Sequence, residues 1–200
     1  MNINWNPPAP RAGLAGAWDK FIGPGATPAE QWLQLLPTLA AAALAPLLAW
    51  QQELGWNIAR YLVAALLAFD LVGGVITNGT ATATRWYHRP GQGMKEHLGF
   101  TAIHFLHPLL VGWLFLDGNW GYAAAVYGYL MLAAYLILSL PLYLQRPAAL
   151  MFYTGGIFLG LYALPVPPGL GWFLPIFYLK LLVSHLLKEA PYAPGSRSKK

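Results

Sequence analysis

Residues 59–78 read ARYLVAALLAFDLVGGVITN, an apolar run interrupted near its middle by one carboxylate, Asp70. About 20 such residues cross a hydrocarbon core of about 30 Å as a helix, so the run predicts a membrane-spanning segment. An ionisable side chain at that depth is costly unless it meets a partner or a water-filled cavity, which makes Asp70 the first candidate for a functional site.

The rest of the chain is of the same kind. Hydrophobic residues make up 57% of the 200 residues, charged residues only 10%, and mean hydropathy is +0.46, which excludes an ordinary soluble domain. Further apolar stretches lie at about 31–51, 97–117, 120–140, 147–165 and 170–188, beside 57–78. The fold class is therefore an all-α, polytopic membrane helix bundle of six transmembrane helices. Upstream, RAGLAGAWDKFI (11–22) puts Leu14, Trp18, Phe21 and Ile22 near one face, the pattern of a short helix lying in the interface. The expected organisation is a polar tail and interfacial helix over 1–30, a single transmembrane domain over 31–188, and a basic tail over 189–200. The opening MNINWNPPAPRAG is polar and proline-rich, so the expectation is that the first spanning helix directs insertion without a cleaved signal peptide.

The 12 Lys and Arg residues orient the bundle. With both termini cytoplasmic, the inner segments hold Arg11, Lys20, Arg85, Arg89, Lys95, Arg146, Lys188, Arg197, Lys199 and Lys200, leaving Arg60 outside and Lys180 within a helix. That satisfies the positive-inside rule and suits a multi-pass protein of a prokaryotic cytoplasmic membrane. The net charge of +5 is scattered over helix ends, so its expected partner is anionic membrane lipid and not nucleic acid. With 0 Cys, disulfides, thiolate nucleophiles and Cys-ligated metals are excluded.

Depth then sorts the polar residues. At about 1.5 Å per residue, Asp70 lies about 12 Å beyond Asn78, His107 about 15 Å beyond His97, and Lys180 about 12 Å beyond Lys188, all measured from the same side. Asp70, His107 and Lys180 thus share one level on three helices, above a shallower layer of Asn78, His88, His97, Ser184 and His185. His97, His104 and His107 fall within an arc of roughly 80° on the third helix. Lys180, Ser184 and Lys188 share a stripe on the sixth. The expectation is a polar cleft opening to the cytoplasm between helices two, three and six. Gly73 and Gly74 beside Asp70 mark a close approach, by a neighbouring helix or by a ligand.

For acid/base chemistry the candidates are Asp70, His97, His104, His107, Lys180 and His185, with Asn78, His88 and Ser184 as substrate-binding residues. His104, His107 and Asp70 are also candidate ligands for a divalent transition metal, although the dense HxxxH and HxxHH clusters of membrane di-iron enzymes are absent. Bis-His haem is disfavoured because the sixth helix offers only His185. Ser184 and His185 are adjacent and point about 100° apart, so they do not form a nucleophile and base with each other.

The leading expectation is a membrane enzyme acting from the cytoplasmic leaflet on a lipid or other small apolar ligand, by acid/base or metal-assisted chemistry. The alternatives are a small proton-coupled transporter or channel using the same residues as a relay, and a structural or accessory subunit. A relay must reach the opposite face, where only Glu53, Arg60 and Asp117 are available. This one-sidedness favours an enzyme or binding protein.

Overall fold

The computed structural model describes residue 3 and residues 5–192. Arg197, Lys199 and Lys200, on which the orientation expectation partly rests, lie outside them. Eight helical rods follow one another: α1 (Gly13–Ile22), α2 (Pro28–Gln51), α3 (Ile58–Asn78), α4 (Ala81–Tyr87), α5 (Met94–Phe115), α6 (Trp120–Ser139), α7 (Leu142–Tyr162) and α8 (Phe173–His185). Among the described residues there is no strand. A single bridge between Ile3 and Tyr192 draws the two ends together.

Four of these helices, α2, α3, α5 and α6, are long and apolar enough to cross a membrane. The two remaining stretches differ from the expectation for identifiable reasons. The stretch expected at 147–165 begins earlier, at Leu142, and takes Gln145, Arg146 and Pro147 into its first turns, which dilutes its hydropathy. The stretch expected at 170–188 is helical only over Phe173–His185, six α-helical residues and seven π-helical ones, because LPVPPGLGW (164–172) stays irregular. At about 1.5 Å per residue it measures about 20 Å, short of a hydrocarbon core of about 30 Å. The segment between α3 and α5 is also more ordered than a loop, since α4 forms within it.

Local chemistry sets the helix starts. At α2 the Thr27 hydroxyl accepts from the Glu30 amide at 3.2 Å and the Glu30 carboxylate accepts from the Thr27 amide at 2.8 Å, with Pro28 in the first turn. Glu30 also accepts from the Thr82 hydroxyl at 2.7 Å, which ties the start of α2 to α4. Side-chain oxygens of Asn57, Thr80 and Asn119 cap α3, α4 and α6.

The core lies where α3, α6, α7 and α8 meet, around Tyr122, Leu130, Ile137, Phe173, Phe177 and Tyr178. The outward faces are equally apolar: Leu62, Leu66, Leu132 and Leu161 are each about 60% exposed or more. In water such a surface would drive association, whereas against lipid it is a solvated surface. On α1, Leu14 and Phe21 are exposed while Ile22 is buried, so the helix turns one edge to the bundle and offers the other outward.

Candidate functional site

Three helices bring their ionisable residues to one point. Lys180 Nζ donates to Asp70 Oδ2 at 2.5 Å, and His107 Nε2 donates to the same oxygen at 2.7 Å. The Lys180 side chain is 3% exposed, whereas that of Asp70 is 44% exposed. Both donors take Oδ2, and no described residue donates to Oδ1. The carboxylate therefore keeps one free acceptor.

Asp70 lines a cavity of about 280 Å³ bounded by α1, α2, α3, α4 and α5, with Lys180 from α8. Trp18, Phe21 and Ile22 of α1 form one wall, and Phe69, Phe100 and Ile103 supply apolar surface elsewhere. The Tyr87 hydroxyl donates to the Phe21 carbonyl at 2.9 Å and so fastens α1 to α4 over the cavity. Asp70, Asn78, His104 and Lys180 are the lining members of the sequence-derived set. His107 stands behind Asp70 as an orienting partner and does not line the cavity.

His104 is set up to accept a proton. Its Nδ1 lies 2.8 Å from the Phe100 carbonyl, which can only accept, so the ring proton sits on Nδ1 and the neutral imidazole leaves Nε2 as a base. The ring stacks on that of His107, with centroids 5.1 Å apart.

The remaining histidines form a separate cluster. His97 Nδ1 lies 3.3 Å from His185 Nε2, His88 Nε2 donates to the His185 carbonyl at 3.1 Å, and all three residues are buried. Phe100 divides the cluster from the cavity, stacking on His185 with centroids 3.8 Å apart and lying 4.8 Å from His104. The single stripe of His97, His104 and His107 expected from the sequence is thus split in two, and α5 tightens to a 3-10 turn over Ile103–Phe105, which includes His104.

Two further expectations need correction. The metal site does not assemble: among the described residues, no group of three or more His, Asp or Glu side chains is placed to hold a metal ion. His107 Nε2 and Asp70 Oδ2 are instead joined directly, as donor and acceptor. The stripe of Lys180, Ser184 and Lys188 is also absent, because Leu179–His185 is π-wound and the helix ends before Lys188. Ser184 lines no part of the cavity, and Lys188 is exposed, with Nζ 4.7 Å from the Trp5 ring.

The paired glycines serve the ion pair. A Cβ on Gly74 would sit 2.3 Å from Lys180 Cε and 2.7 Å from Cδ, and one on Gly73 would sit 3.0 Å from Thr38 Cγ2. Gly74 is the gap through which the Lys180 stem reaches Asp70. Since that stem is held at its far end, Gly74→Ala is expected to cost about 1–3 kcal/mol, the scale of overpacking. Gly73→Ala should cost less. Thermal unfolding of both variants in detergent checks the order, and equal midpoints would contradict it.

His88 lies outside the spanning helices, and burial pushes its imidazole down to about 4 from an ordinary 6.5. As pH falls from about 6.5 toward 4, the unfolded chain binds a proton that the folded chain does not, so stability declines over that window and is full above it. The stability difference between wild type and His88→Gln is therefore expected to shift in favour of the variant on acidification. Parallel pH–stability curves would contradict this.

Sequence reasoning passed over Gln34 and Thr38 on α2 and did not assign the interfacial helix to the cavity wall. The rule that singled out Asp70, a polar group inside an apolar run, applies equally to Gln34 in QWLQLLPTLA (31–40). No family model matches this chain, and no curated protein or solved structure matches it.

Proposed function

We propose that this protein is a membrane enzyme that takes a small, lipid-like substrate into the cavity beside Asp70 and performs acid/base chemistry on it. In this proposal His104 removes or returns a proton through Nε2, and Asp70 Oδ1 accepts a hydrogen bond from the reacting group. Lys180 and His107 fix the carboxylate through its other oxygen. In this proposal α7 and α8, the latter lengthened by the irregular residues on either side of it, complete six passages with the four long helices, and both termini and the cavity face the cytoplasmic side of a prokaryotic cytoplasmic membrane.

The observation that carries the proposal is the combination of the Asp70, Lys180 and His107 triad with a largely apolar, partly open cavity. Asp70 keeps Oδ1 without a donor among the described residues and lines the same cavity as His104, whose Nε2 carries no proton. A relay has less support, because Phe100 separates the outer histidines from the triad, and Arg60 at the far end is occupied by the Leu114 carbonyl at 2.6 Å and by Asp117 at 3.5 Å.

The test is mass-spectrometric profiling of membrane lipids from cells expressing wild type or the Asp70→Asn/Lys180→Met pair, which removes both charges while keeping the side-chain shapes. A lipid species altered by wild type alone is the expected result. Indistinguishable profiles would overturn the enzyme reading.

A further inference from the structure

Gln34 is 4% exposed and lines the cavity, yet neither the nitrogen nor the oxygen of its carboxamide meets a hydrogen-bond partner among the described residues. Native proteins seldom leave a buried donor and a buried acceptor on one side chain unpaired, and a group that fills the cavity is the economical way to pair both. Thr38, one turn along α2, packs on Gly73. Because α2 and α3 are consecutive and antiparallel, Gln34 lies level with Thr77. Seven residues separate Thr77 from Asp70, a rise of about 10 Å. The cavity therefore has two polar stations, Gln34 near the helix ends and Asp70 with His104 deeper, and Leu35, Phe69, Phe100 and Ile103 give the same cavity apolar lining.

Charge narrows the chemistry further. Lys180 is the lining residue with a cationic side chain, and its ammonium is committed to Asp70 at 2.5 Å. Nothing in the lining is free to neutralise a phosphate or a carboxylate. Resting on the reading of this cavity as the substrate site, we propose that Gln34 recognises the polar end of the substrate, and that this end is a neutral group able both to donate and to accept: a hydroxyl or a carboxamide on an apolar chain. Such a group takes the Nε2–H on its oxygen and gives its own proton to Oε1. A hydrocarbon satisfies neither atom. A carboxylate satisfies only the donor and sets its charge beside Oε1. The alternative content is water: the cavity volume corresponds to roughly nine molecules at about 30 Å³ each.

Trp18 in the cavity wall provides a reporter. Purified protein in detergent is titrated with octadecanol, octadecanamide, octadecane and octadecanoate, each brominated at mid-chain, and quenching assigned to Trp18 is the difference between wild type and Trp18→Phe. The alcohol and the amide are expected to bind tightest. Gln34→Leu should weaken both by about tenfold or more while leaving the alkane unchanged, since tenfold is the scale of one hydrogen bond. Gln34→Asn, which keeps the amide but withdraws it by one methylene, should fall between them, with thermal unfolding measured on each sample to establish the fold. Absence of any Trp18 quenching would overturn the cavity reading itself. Quenching that is equal for alcohol and alkane and insensitive to Gln34→Leu would overturn the role of Gln34 while the cavity reading stood, and tightest binding of octadecanoate would overturn the neutral-group assignment.

Discussion

Replacing Asp70 with alanine will lower the stability of the folded protein by about 3 kcal/mol, and removing the ammonium as well, as Asp70→Ala/Lys180→Met, will recover most of that loss. The reason is the asymmetry of the pair. Lys180 is 3% exposed and has one anionic partner among the described residues, so deleting the carboxylate leaves an uncompensated charge in the helix bundle. Breaking a buried pair from one side costs roughly 3–5 kcal/mol, whereas replacing both members by apolar groups is often neutral or stabilising. The low end applies because Asp70 is 44% exposed. Equilibrium unfolding of wild type, both single variants and the pair in one detergent measures the coupling as a double-mutant cycle. A Asp70→Ala protein as stable as wild type would show that the ammonium finds other solvation, and the triad would lose its structural meaning.

The common level of Asp70, His107 and Lys180 was legible in the sequence because level depends on depth alone, whereas their contact also needed their helices to face one another. A helix rises by a fixed amount per residue, so three residues at equal distances from one side come to one level whatever the rotation of their helices. Facing was harder to read. The arc assigned to His97, His104 and His107 assumed one uniform α-helix, but the helix tightens to a 3-10 turn at His104, and His97 meets His185 while His107 meets Asp70. The stripe on α8 failed in the same way, through π winding over Leu179–His185. Both departures fall next to the site, where local irregularity is most common and where uniform periodicity is the weakest guide.

The cavity itself was not legible. Its walls come from α1, α2, α3, α4, α5 and α8, and its existence depends on how the short helix α1 folds back over the bundle. Amphipathicity indicates that α1 has an apolar face but not what lies beneath it. Gln34 shows the other limit. An amide in an apolar run carries no formal charge and stands out less than a carboxylate, although its burial without partners is the more unusual state.

The second large effect concerns turnover. His104→Gln is expected to slow the reaction by about 10²–10⁴-fold, the usual contribution of a positioned general acid or base. The substitution is chosen so that structure and chemistry separate. A glutamine amide can still donate toward the Phe100 carbonyl, which His104 Nδ1 now contacts at 2.8 Å, but it offers no nitrogen able to take up a proton at neutral pH. The unfolding midpoint should therefore stay close to that of wild type, and the loss should appear in kcat with KM little changed, because an acid/base group acts in the transition state and contributes little to ground-state binding. His97→Gln provides the comparison, since His97 is also a buried imidazole on α5 but contacts His185, not the cavity. It should retain turnover within a few-fold. The assay follows the lipid species that wild type alone alters. Full turnover by His104→Gln would remove this residue from the chemistry, and an equal loss in His97→Gln would mean that the two histidine clusters act as one unit across Phe100.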